Sequence, residues 1–215
     1  MVTRREFLEM LGGGIVGLAV GGALGYTLAP KGPPPEKVAG KLAGVPSEPL
    51  KIGGMWFLSG KFGTYGDMAK KSLDMAVEEI NAAGGILGRK VEIILKDEAD
   101  RQNVIKNIRK MVEEEKAEFL VGIDSSGDVL KLAPVVEDEL HVVTVITHAA
   151  TPKLTACNKL HYVFRISMYE EPIDVAAARL VAERFSDVKK VASIGPDYAY
   201  GYDSWAIFST NLKKL

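Results

Sequence analysis

From Leu50 onward, short β-branched and apolar runs alternate with longer stretches whose apolar residues recur at helical spacing. Residues 52–58, 91–95, 119–123, 142–146, 162–166 and 191–194 read as strands. Between the first two, Ala69, Leu73, Ala76, Val77 and Ile80 share one helical face, with Lys70, Lys71, Asp74, Glu78 and Glu79 turned outward. Gly84-Gly85 stops that helix. Val104, Ile105, Ile108, Met111 and Val112 mark a second amphipathic helix, and Val129, Leu132, Ala133 and Val136 a third. Pro134 lies in the third stretch and is expected near its start or at a kink. Ile173, Ala176, Ala177, Leu180 and Val181 form another stripe, and a last helix is expected over residues 202–215. Strands separated by such helices imply βαβ units. The expected fold class is α/β, a doubly wound parallel sheet covered on both faces.

In sheets of this kind ligands sit beyond the carboxyl ends of the strands. That rule selects three loops, at residues 59–66, 124–127 and 147–155, all following predicted strands and all carrying small or hydroxylated residues.

The first 29 residues differ in kind. Thr3-Arg4-Arg5-Glu6-Phe7-Leu8 places paired arginines before an apolar run, and no charge occurs from Leu11 to Ala29. This reads as an export signal or membrane anchor and is set apart from the fold. The arginine pair resembles a twin-arginine signal; the alternative is a general signal anchor with incidental arginines. Pro30 directly after Thr27-Leu28-Ala29 disfavours cleavage, and the run approaches the ~20 residues that span a bilayer. Retention as an anchor in contact with the membrane is therefore the expectation. Residues 30–49, opening with Lys31-Gly32-Pro33-Pro34-Pro35, read as an extended spacer.

A net charge of −1 leaves no electrostatic footprint for nucleic acid. The lone Cys157 offers neither an internal disulfide nor a thiolate metal site, and His141, His148 and His161 have no ligand-like spacing. Gly12-Gly13-Gly14-Ile15-Val16-Gly17 matches G-x-G-x-x-G, but it lies in the export segment with no strand before it. Asp97, Glu98 and Asp100 read as a charged loop rather than a metal site, and Glu113-Glu114-Glu115 as a solvated helix end. No nucleophile–base pair appears. Neither a cofactor nor a metal is called for, and an enzyme is not expected.

Several segments together resemble periplasmic binding proteins of the leucine/isoleucine/valine-binding type. They are Lys51-Ile52-Gly53, Leu58-Ser59-Gly60, Tyr65-Gly66-Asp67 and Ile80-Asn81-Ala82-Ala83-Gly84-Gly85-Ile86-Leu87-Gly88. Asp97, Val121-Gly122 before Ser125-Ser126, Ile146-Thr147, Ala149-Ala150-Thr151-Pro152, Val163-Phe164-Arg165 and Tyr200-Gly201 complete the set. The resemblance runs from about Leu50 to the end. It implies two α/β lobes that close on a ligand like a hinge. Residues 50–168 would form the first lobe and residues 169–215 the beginning of a second, incomplete by the family's pattern.

The resemblance also implies a binding site. A zwitterionic amino acid loses hydration on entering a cleft and needs replacement hydrogen bonds. Ser126, with Ser125 beside it, stands where the family contacts ligand from a helix start; the ordinary alternative is a helix cap. Ala149, Ala150 and Thr151 match the family's second ligand loop, and a one-residue gap before Pro152 lets Ala150 and Thr151 exchange roles. Tyr65 and Tyr200 match tyrosines that cover the ligand from the two lobes; the alternative is surface packing.

The implied function is the extracytoplasmic solute-binding component of an ABC importer. It would bind an amino acid or similar small polar solute and work with permease and ATPase subunits. A ligand-sensing receptor of the same fold and a truncated non-functional remnant are the alternatives. With one wall of the cleft incomplete, the 215-residue chain is expected to bind more weakly than a complete homologue.

Overall fold

The computed structural model describes residues 44–156, 159–167 and 169–215. The export or anchor segment, most of the spacer and Cys157 lie outside the described residues. Among these residues five strands, β1 (Leu50–Trp56), β2 (Val91–Asp97), β3 (Phe119–Gly122), β4 (Val143–Ile146) and β5 (Val163–Arg165), pair in parallel in the order β2-β1-β3-β4-β5. Helices α1 (Gly63–Ala82), α2 (Val104–Arg109) and α3 (Ser126–Val135) provide the crossovers among the first four strands. The expected doubly wound parallel sheet is what forms.

One core holds these layers together. Met55, Leu120 and Ile146 from the sheet and Ile123 just beyond β3 pack with Val104, Ile108 and Met111 and with Val129, Leu132 and Val136. The helical stripes legible in the sequence are thus the buried faces of α2 and α3. Pro134 falls near the end of α3 rather than its start. It donates no N–H, and the chain beyond it widens into a π-type turn over Val136–Leu140 that closes with His141 N–H on Val136 O at 2.8 Å.

The Ile80–Gly88 segment does structural work. Asn81 pairs with both backbone groups of Val91, donating to its oxygen at 3.0 Å and accepting from its nitrogen at 2.7 Å, which sets where β2 begins. Gly85 has φ +81°, and a Cβ there would stand 1.9 Å from Arg89 O. Arg89 in turn donates to Glu48 O at 2.7 Å and Pro49 O at 3.0 Å and forms a two-pronged pair with Glu118. Its guanidinium ties the entry of β1 to the start of β3. Arg89→Lys keeps the charge but not the fork, so the denaturation midpoint in urea should fall. An unchanged midpoint in urea would show that the fork contributes nothing.

The strand ends differ from the sequence reading by one or two residues, and the last helix by three. β1 ends at Trp56 because Phe57 N–H is taken by Asp124 Oδ2 and Leu58 N–H by Asp97 Oδ1, both at 2.9 Å. The final helix, α5, spans Ala199–Leu212, starting and ending three residues earlier than expected. One element is corrected outright. Residues 191–194 form no strand; Val191 is exposed and Ile194 fully so. Among the described residues no strand lies beside them, and an apolar run without a ladder partner gains nothing from extension. Instead α4 (Glu170–Arg184) and α5 pack against each other. No helix among the described residues is long and apolar enough to cross a membrane.

Candidate functional site

The turn after β3 is the pivot of the site. Gly122 (φ +119°) and Ile123 (φ 65°) are both left-handed, and a Cβ on Gly122 would meet Met55 O at 2.2 Å. This elbow swings the next residues outward over the sheet edge. Glu98, fully buried, accepts the N–H groups of Asp124 at 2.7 Å and Ser125 at 2.8 Å. Burial pushes its carboxyl up to about 7, with the charges of Asp124 and Asp128 adding to the shift against those two hydrogen bonds. Asp124 also faces His148 Nδ1 at 3.0 Å, which holds the imidazole above its ordinary pKa.

Ser125, not Ser126, caps α3, accepting Asp128 N–H at 3.3 Å and also a 2.9 Å bond from Arg101 Nη2. Ser126 is the first helical residue. Its hydroxyl accepts the N–H of Ala150 at 3.3 Å, joining the turn after β3 to the loop after β4. Ala149 N–H is bound to Ile123 O at 3.0 Å. Thr151 is fully buried; its hydroxyl donates to Asp203 Oδ2 of α5 at 2.7 Å, and Lys153 also pairs with Asp203. Glu170 N–H donates to Ala150 O at 3.1 Å. The loop after β4 is therefore stitched to the starts of both α4 and α5.

These stitches enclose a cavity of about 580 Å³ at the carboxyl edge of the sheet. Phe57, Phe62, Tyr65 and His148 form one wall, with successive ring centroids 5.4, 6.3 and 5.1 Å apart. Tyr198, Tyr200, Pro196 and Ile173 form another, with the two tyrosines 6.2 Å apart. Asp124, Ala150, Ser167 and Glu170 complete the lining. Of the seven residues named from the sequence, Tyr65, Ala150 and Tyr200 line this space. Ser125, Ser126, Ala149 and Thr151 are buried behind it and do not. Ser126 and Thr151 reach it only through what they hold in place.

Glu170 was not visible in the sequence as a site residue. It is the first residue of α4, where an acid is ordinary because it complements the helix dipole. Here the side chain is 2% exposed, yet neither carboxylate oxygen accepts a hydrogen bond among the described residues. Burial first, then the charges of Asp203 and Asp174, push its carboxyl up to about 8. The Ser167 hydroxyl is likewise buried without a partner among them. No group of His, Cys, Asp and Glu among the described residues is arranged to hold a metal ion.

Residues 49–215 match the family model described as periplasmic binding protein. The chain belongs to that family. The Leu/Ile/Val-binding protein BraC3 of Rhizobium johnstonii is 33% identical over 152 residues, covering 71% of this chain and 41% of that protein. The fold is shared with a solute binding protein of an ABC transporter from R. palustris, solved with 4-hydroxybenzoate (24% identity, TM-score 0.67, 77% of this chain and 44% of that one). It is shared also with a leucine binding protein from Thermotoga maritima (23% identity, TM-score 0.64, 77% and 46%). The chain spans less than half the length of the curated relatives it matches. Within this periplasmic binding lobe, the cavity lies where an open parallel sheet receives ligands, beyond the ends of β1, β3 and β4.

Proposed function

We propose that this periplasmic binding protein is the extracytoplasmic solute-binding component of an ABC importer, taking an amino acid or similar small solute into the cavity. The observation that carries the reading is the placement of an aromatic-walled space between the sheet edge of residues 50–168 and the segment that starts at residue 169, in a chain of this family. Tyr65, Ala150 and Tyr200 would touch the solute. Ser125, Ser126, Ala149 and Thr151 would hold the loops that shape its wall. Closure of the two parts on the ligand would create the form that permease and ATPase subunits engage. The charge-free stretch after the paired arginines would direct export and tether the chain at the membrane, with residues 30–49 as spacer.

A thermal-shift screen of the full chain against amino acids and small aromatic solutes tests this. A ligand at a hundred times its Kd stabilises the folded form by ~2.7 kcal/mol, which is readily seen as a rise in Tm. Tyr65→Ala should weaken the best ligand about tenfold, because an aromatic wall is lost while the backbone is untouched. Ala150→Trp should abolish binding by filling the space. If Ala150→Trp bound as well as wild type, the solute would lie elsewhere.

A further inference from the structure

The cavity lining carries two acids and one imidazole, that of His148. Asp124 and Glu170 are acidic, and no lysine or arginine is among the described residues that line the space. The nearest positive groups have other tasks. Lys153 pairs with Asp203, and Arg165 donates to Thr151 O at 2.7 Å and Thr155 Oγ1 at 2.6 Å while lying 4.8 Å over the Tyr169 ring. Asp124 is already occupied by Phe57 N–H and His148. Glu170 differs from every other buried acid at the sheet edge. Glu98 has two N–H donors, Asp128 has Arg101 and Lys131, and Asp203 has Thr151 and Lys153. The Glu170 carboxyl has none among the described residues. A buried carboxyl without donors is unfavourable unless something else supplies them.

Resting on the solute-binding reading above, we propose that Glu170 receives a cationic nitrogen of the ligand, so that the cavity takes ammonium-bearing solutes with an apolar body and rejects solutes whose only charge is a carboxylate. An ammonium group brings the hydrogens that both Glu170 oxygens lack, and the buried Ser167 hydroxyl, also without a partner among the described residues, belongs to the same lining. The tyrosine and phenylalanine faces suit both a cation and an apolar body. A benzoate-type anion, such as the 4-hydroxybenzoate held by the R. palustris protein, would find no lysine or arginine in this lining, and the one imidazole there, His148, is already paired with Asp124.

Proton linkage gives the proposal a sign. The groups facing Glu170 are Asp174 on its own helix, Asp203 on α5, Lys153 and Arg165 from the sheet side, and Tyr198 and Tyr200 across the cavity. Burial first, and then the two acids, keep the Glu170 carboxyl largely protonated at neutral pH. An arriving ammonium favours the ionised form, so binding near pH 7 releases a proton, and affinity rises with pH toward about 8. Asp124 and burial also act on the His148 imidazole in the same lining, so the share of any proton release owed to Glu170 is the share that Glu170→Gln removes.

Titration calorimetry of the full chain with 2-phenylethylamine, 3-phenylpropionate and L-leucine, in two buffers of different ionisation enthalpy, tests this. The amine and the amino acid should bind and release protons. Glu170→Gln should weaken both at least about tenfold and reduce the release, while 3-phenylpropionate should not bind wild type. Should Glu170→Gln fail to fold, the direction of proton transfer in wild type still decides between cation and anion. A carboxylate that binds with proton uptake, or an amine whose affinity ignores Glu170→Gln, would overturn the cation assignment and leave solute binding standing. No binding by any of the three at millimolar concentration would overturn both.

Discussion

Gly122→Val should lower the stability of the chain by at least about 3 kcal/mol, a large share of what a domain of this size possesses. Two costs add. The backbone at φ +119° is a conformation that a β-branched residue strongly resists, and the new Cβ would be forced to within 2.2 Å of Met55 O and 2.9 Å of the Trp56 ring. Neither neighbour can step aside. Met55 is fully buried in the core, and its oxygen accepts the Ile123 N–H at 2.8 Å. Urea denaturation of the purified variant measures the loss. A midpoint within error of wild type would mean that the elbow after β3 relaxes without penalty.

Glu98→Ala should follow at ~2–4 kcal/mol. It leaves the N–H groups of half-buried Asp124 and buried Ser125 without their acceptor, at ~1–3 kcal/mol each, offset in part by removal of a carboxyl that is itself costly to bury. Ligand affinity should fall with it, because that turn carries Asp124 and the cap of α3. The residue also has a pH signature. Its carboxyl sits at about 7 in the folded chain against 4.5 unperturbed, so the stability it contributes is complete below about 4.5 and is lost as pH rises through 7. Glu170, raised to about 8, acts in the same direction slightly later. Wild type should therefore melt higher at pH 5 than at pH 8.5, and Glu98→Gln should show a flatter profile between those values. A Tm that climbs steadily over that range would contradict this account.

Much of the parallel sheet could be read from the sequence because its strands announce themselves twice, by composition and by the helices that separate them. The stripe Val104, Ile108, Met111 is a helix face whether or not one knows what it covers. Residues 191–194 look like a strand by the same composition. Pairing, however, belongs to a neighbour, and a run of apolar residues cannot reveal whether one is present. The limits of β1 were illegible for a related reason: two aspartates distant in sequence, Asp97 and Asp124, take the N–H groups that would have continued it.

The site was legible in its loops more than in its atoms. Hydroxyls on Ser125, Ser126 and Thr151 suggest ligand contact, because a free hydroxyl in a loop is a ready hydrogen-bonding group. Each is used instead to fasten one segment to another. Tyr65 and Tyr200 reach the cavity because each lies in the first turn of a helix, α1 and α5, that starts beside it. Glu170 escaped notice because acids at helix starts are common, and only burial without a partner sets this one apart.

The bond between Thr151 and Asp203 has a bearing on how the cavity should respond to its surroundings. Charge pairs on α1, such as Lys70 with Asp74 and Lys71 with Asp67, are open to solvent and fade as ions accumulate around them. The Thr151 hydroxyl and the Asp203 carboxylate are sealed from solvent, and counter-ions cannot come between them. The width of the cavity at that corner should be the same in dilute buffer and in brine, so that a cell meeting osmotic swings would keep one and the same opening for its solute.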